Sequence, residues 1–280
     1  MDWKAKKVLI IDLSKKESEI KSYPDLNKFI GGVGLGFKLM QNYAEKDPIV
    51  FSVGPLNGFF PFASKTSVII NDAGVIEDLY FGGSLSLRIR FAGIDSIVLH
   101  GRSSDETILD ISGSGVSFKT PETDMGSLGL PGRRSIITTD NKKILLDNYF
   151  TTKENFLEKK FADKRIVGAV VTGTETFTPD NFEKYDELRS KILAKKDEML
   201  VTVGQKPSCA NCPMGCEKSK EGELGGNILI HSLVACKYAE RIYSDIGVAF
   251  SCLNVLGYDY THEDIENLPK LVEDTLKDIL

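Results

Sequence analysis

Four apolar residues run together at Val8-Leu9-Ile10-Ile11, at the centre of residues 6–13, and this pattern predicts a buried strand. A turn at Ser14–Glu17 leads to alternation over Ser18–Tyr23, which predicts a return strand. Over residues 26–43, Leu26, Phe29 and Ile30 precede Gly31-Gly32-Val33-Gly34-Leu35-Gly36, and Phe37, Leu39, Met40 and Tyr43 follow. That order predicts a glycine-rich turn entering a helix, with the element before it also helical. Short apolar strands are then predicted at 49–53, 66–71, 76–81 and 96–100. A hairpin at 108–111 and 116–119 turns on Gly113-Ser114-Gly115. Residues 120–134 read as loop, 135–139 and 143–148 as a strand pair, 153–161 as a charged helix and 166–173 as a strand.

From Asp180 the period changes. Phe182, Tyr185, Leu188, Ile192, Leu193 and Leu200 recur at helical spacing, predicting one amphipathic helix up to residue 200. Gly222–Gly226 is a flexible link, and a helix is expected over 229–243 with Cys236 on it. A further helix over 244–256 ends at Gly257. Thr261 caps a last helix that contains Pro269, where a kink or restart is expected. The fold class is therefore α+β, divided into a strand-rich domain over 1–178 and a helical segment over 179–280.

Composition narrows the function classes. The 280 residues are 41% hydrophobic and 27% charged, with net charge −5 and a pI near 5.4. Nothing in that balance points to nucleic acid or an anionic membrane as a partner. No apolar run is long enough to cross a bilayer, and Met1-Asp2-Trp3-Lys4 does not read as a signal peptide. The expected location is the cytoplasm.

Cysteine usage changes the picture most. Residues 1–208 contain no cysteine, whereas Cys209, Cys212, Cys216 and Cys236 fall within one stretch, and Cys252 stands apart as a core residue. In Cys209-Ala-Asn-Cys212-Pro-Met-Gly-Cys216 three thiols can converge, because Pro213 and Gly215 supply turn chemistry. Three readings stand at this point: buried unliganded thiols, a structural zinc site, or an iron–sulfur cluster. Zinc loops usually pair one C-x-x-C with another or with histidines, and the third cysteine here does not follow that spacing. Lys206, Lys218 and Lys237 flank the thiols and could favour a reduced cluster or dock an acidic partner. His100, His231 and His262 are isolated, and no nucleophile stands at motif spacing from any of them, so the catalytic residues are unassigned.

Several stretches together resemble the tungsten-dependent aldehyde ferredoxin oxidoreductases. Ile30-Gly31-Gly32-Val33-Gly34-Leu35 is similar to that family's early glycine turn, and Gly54-Pro55-Leu56-Asn57-Gly58 to its G-P-L-T-G loop. Gly82-Gly83 with Arg90-Phe91-Ala92-Gly93-Ile94-Asp95 resembles its G-G…K-F-A-G-Y-D run. The cysteine loop and Leu233-Val234-Ala235-Cys236-Lys237 resemble its cluster-binding segments, and Gly257-Tyr258-Asp259-Tyr260-Thr261 its G-W-D-Y-T turn. The resemblance implies a two-sheet first domain and a [4Fe–4S] cluster on Cys209, Cys212, Cys216 and Cys236. It also implies a tungstopterin, for which Gly31, Gly32, Gly34, Lys65, Gly82 and Gly83 would be the contacts. Family members are longer, and only 19 residues separate Cys216 from Cys236 here. Val33 replaces a basic residue of the glycine turn, and Lys65 stands in place of an arginine. The glycine-rich stretch before the last strand is absent, with Glu158–Arg165 roughly in its place.

The leading expectation is an iron–sulfur electron-transfer protein or subunit on that scaffold, serving a redox partner such as a ferredoxin. The alternatives are a tungsten or molybdenum pterin aldehyde oxidoreductase completed by a homodimer mate or partner oxidoreductase subunit, and a zinc-stabilised interaction module.

Overall fold

The computed structural model describes residues 3–140 and 143–279. Met1 and Asp2, part of the stretch read as lacking a signal peptide, lie outside them. The first strand, β1 (Lys6–Asp12), explains its own uninterrupted apolar run, because it is covered on both faces. Val8 and Ile10 belong to one core and Leu9 and Ile11 to another. The same division recurs in β3 (Ile49–Val53), β4 (Thr66–Asp72) and β6 (Ser96–His100), where Val50, Ile69 and Val98 turn one way and Phe51, Val68, Ile70, Ile97 and Leu99 the other. With the exposed edge strand β2 (Glu17–Tyr23) and with β5 (Val75–Phe81), they form a six-stranded mixed sheet in the order β2-β1-β6-β3-β4-β5.

A second sheet contains β7 (Thr107–Ser112), β8 (Gly115–Lys119), β9 (Arg134–Asp140), β10 (Lys143–Leu146) and β11 (Ile166–Thr172), in the order β10-β9-β11-β7-β8. Leu109, Ile111, Ile137, Ala169 and Val171 meet the first sheet in a shared core, joined by α2 (Leu85–Phe91) and α3 (Phe156–Lys164). On the other face of the first sheet lie α1 (Gly32–Asn42) and the helical half of the chain: α4 (Phe182–Ala194), α5 (Ile228–Leu233), α6 (Glu240–Tyr243), α7 (Ile246–Val255) and α8 (His262–Lys277). The fold is thus α+β with two mixed sheets, and the helical half shares a core with the first of them.

Three helical expectations are corrected. The helix expected to run to residue 200 stops at Ala194. Met199 then turns inward while Leu200 stays 60% exposed and donates its N–H to the Tyr238 carbonyl at 3.3 Å. The helix expected over 229–243 is broken after Leu233, where Val234 adopts a left-handed φ of 53°, and Cys236 sits on extended backbone. Pro269 lies inside α8 without ending it. The start of α8 is as expected, with Thr261 and Asp264 forming a capping box. Among the described residues no helix is long and apolar enough to cross a membrane.

Candidate metal centre

Strand pairing brings two loops to one end of the first sheet. Val53 pairs with Thr66 and Thr66 with Phe81, so Gly54, Lys65 and Gly82, the residues just beyond these positions, lie side by side. Asn57 closes the loop between β3 and β4. Its side-chain oxygen accepts from the Gly54 N–H, and its amide donates to the Ala63 carbonyl at 2.7 Å. Arg90, nearly fully buried, holds this loop from below by donating to the Gly54 carbonyl at 2.8 Å and to Asp95 at 2.7 Å.

The cysteine segment docks on these loops through backbone bonds. Ala210 N–H donates to Gly83 O at 2.9 Å, Lys65 N–H to Val234 O at 3.2 Å, and Cys236 N–H to Phe62 O at 2.8 Å. Within the segment, Cys212 N–H donates to Cys209 O at 3.1 Å, which closes the first turn. Gly82 is required where the segment meets the sheet. A Cβ there would lie 3.0 Å from Cys209 Sγ and 2.6 Å from the Ser219 carbonyl.

The structure brings Cys209, Cys212, Cys216 and Cys236 to the wall of one small cavity of about 20 Å³, which Lys65 and Ser219 also line. All four thiols are free. Cys209 is buried and the other three are half-buried. Among the described residues no three His, Cys, Asp or Glu side chains stand close enough to hold a single metal ion. Burial pushes the Cys212 thiol up to about 12 and raises that of Cys236 as well, because a thiolate is disfavoured away from water.

Lys65 is the other unusual group. It is 2% exposed, and its Nζ donates to Cys209 Sγ at 3.2 Å. Burial works to lower its pKa. The neighbouring sulfurs of Cys209, Cys236 and Cys212, as thiolates, outweigh burial and raise it, which keeps the lysine charged beside them. A buried ammonium beside sulfur alone fits a bound group that carries negative charge on four thiolates, as an iron–sulfur cluster does.

Of the other expected cofactor contacts, Gly82 reaches the thiols, while Gly83 packs on the Phe150 ring. Gly31, Gly32 and Gly34 do not reach them. Gly32 has φ of +46°, and a Cβ on it would lie 2.3 Å from the His231 carbonyl. Gly34 faces Phe29 O and the Ser232 hydroxyl, and Gly31 faces Val53 O. The first glycine turn therefore receives α5 of the same chain. On the side a Cβ would occupy, these three glycines are packed against the chain's own backbone. Lys206 and Lys237 pair with Glu217 and Glu223 at 3.7 and 3.6 Å, and Lys218 is exposed at the cavity. His100 stacks on Tyr43 and His262 on Phe250, while His231 bonds the Tyr80 hydroxyl at 3.0 Å.

Sequence reasoning missed that Lys65 bonds a cysteine, that Phe62 supplies a carbonyl to Cys236, and that Ser219 reaches the cavity. The one available signal was proximity, since Ser219 follows Cys216 by three residues.

Residues 8–141 match the family described as aldehyde ferredoxin oxidoreductase, N-terminal domain. A relative from Pyrococcus furiosus, described as an aliphatic sulfonate oxidoreductase, WOR-like subunit, is 28% identical over 154 residues. That match covers 49% of this chain and only 24% of the relative's length. Among solved structures, the active-site complex BamBC of benzoyl coenzyme A reductase with 1,5-dienoyl-CoA superposes with a TM-score of 0.61 at 14% identity. It covers 98% of this chain and 63% of that one. At that identity the likeness concerns the fold.

Proposed function

We propose that the chain belongs to the aldehyde ferredoxin oxidoreductase family, whose N-terminal domain its residues 8–141 match, and that it is an electron-transfer subunit holding one [4Fe–4S] cluster on Cys209, Cys212, Cys216 and Cys236. The observation that carries the reading is the buried Lys65 ammonium, bonded to Cys209 Sγ at 3.2 Å inside a cavity walled by four thiols. When bound, such a cluster supplies one-electron exchange. The protein's own residues do the rest. The four cysteines give up their protons to become ligands, Lys65 offsets the negative charge, and Met199 and Met214 help keep water from the sulfurs.

Both relatives are described as parts of larger assemblies, one a subunit and one a complex. That supports a partner oxidoreductase chain as donor or acceptor, with a ferredoxin-like protein in the other role. Lys218, exposed beside the cavity, suits an acidic partner. Free thiols serving as ligands suit a reducing compartment. Gly31, Gly32 and Gly34, three of the six residues expected to contact a tungstopterin, pack against the chain's own backbone on the side a Cβ would occupy, which weighs against that cofactor.

Metal analysis and a visible spectrum on protein purified without air test this reading. About four irons per chain with a broad charge-transfer band are expected. Cys212→Ser and Cys236→Ser should each lose most of that iron and colour. One colourless zinc per chain would replace the reading with a structural zinc module, and tungsten with a pterin fluorophore would replace it with the cofactor-bearing oxidoreductase.

A further inference from the structure

Ser219 is 2% exposed, and its hydroxyl has no hydrogen-bond partner. Buried hydroxyls are ordinarily paired, and an unpaired one calls for an explanation at the place where it points. Ser219 lines the same cavity as the four thiols. Its backbone is held on three sides. Its N–H donates to Cys216 O at 3.1 Å, its carbonyl lies against Gly82, and the next carbonyl, of Lys220, accepts from Thr151 N–H at 2.8 Å. The hydroxyl therefore cannot reach solvent by a small backbone shift, and its rotation sweeps the cavity.

We infer that Ser219 donates its hydroxyl proton to a sulfur of the bound group and so raises its reduction potential. The inference rests on the cluster reading given above. A hydrogen bond to sulfur is strengthened by each added electron, so it favours the reduced state. Lys65 acts on Cys209, which makes Ser219 a second, uncharged donor. Ser219 is a positioning and tuning residue, not a ligand.

The experiment compares wild type, Ser219→Ala and Ser219→Thr, all purified without air. Iron content and visible absorbance report whether the cluster is present, and a spectroelectrochemical titration reports its midpoint potential. Electron–nuclear double resonance in H2O and D2O reports exchangeable protons coupled to it. The expected result is equal iron in all three, with the alanine variant shifted to a more negative potential and missing one coupled exchangeable proton. The threonine variant keeps both properties because it keeps the hydroxyl. Equal potentials and unchanged proton couplings in wild type and Ser219→Ala overturn the inference and leave the cluster reading standing. Wild-type protein without iron overturns the cluster reading itself. If the alanine variant does not fold, Ser219→Gly provides the same comparison.

Discussion

A charged amine at 2% exposure whose hydrogen bond goes to sulfur stands in an environment that penalises it, and Lys65 is such a group. Removing one member of a buried charge pair typically costs about 3–5 kcal/mol, most of it from the partner left uncompensated. The effect of Lys65→Met should therefore depend on what the cavity holds. We expect it to destabilise the cluster-bound protein by about 3 kcal/mol more than the metal-free protein. Urea unfolding of both forms without air measures the difference, and equal losses would mean that the lysine compensates nothing in the cavity. Lys65→Arg keeps the charge and should keep most of the binding, although its wider head must fit beside Cys209.

At the scale of elements, the placement of α5 decides whether the fourth thiol reaches the others. Gly32 admits that helix, with the His231 carbonyl where a Cβ would sit. Gly32→Ala combines a left-handed backbone with a backbone clash, and a loss of about 3 kcal/mol together with weaker iron retention is expected. Gly74→Ala is the control. Gly74 also has positive φ, at +92°, but faces open space, so only the strain of about 1 kcal/mol should appear in thermal unfolding. This contrast also shows where the sequence was legible. The strand positions followed from apolar runs such as Val8–Ile11, and the α8 cap from Thr261 and Asp264, because both signals are local. The convergence of Cys209, Cys212 and Cys216 was readable from their spacing, and that of Cys236 only from the family resemblance. The break at Val234, the filling of the glycine turn by α5 and the pairing of Lys65 with Cys209 were not, since each depends on segments far apart in the chain.

Across the whole molecule, the stretches that carried the family resemblance act mainly as fastenings between distant parts. Arg90 joins Asp95 to the Gly54 loop, and Tyr260 accepts from the buried Lys6 at 3.0 Å and donates to Asn27 O at 2.8 Å. Burial lowers the Lys6 pKa from 10.5 to about 8. Between those values the unfolded chain holds a proton that the folded chain has released, so this group's contribution to stability rises with pH across that window. The full change is worth about 3 kcal/mol. Lys6→Met should lack that rise, which unfolding of both proteins at pH 7.5 and pH 10 would reveal as a gap that changes with pH. A gap of constant size would assign Lys6 a packing role alone. The bond between Lys6 and Tyr260 spans 254 positions, and it has a consequence for synthesis. A ribosome delivers Cys209, Cys212 and Cys216 before Cys236, and Cys236 before Tyr260. The nascent chain thus presents three of the four thiols before the segment that carries the fourth has been made, and all four before Tyr260 can join Lys6.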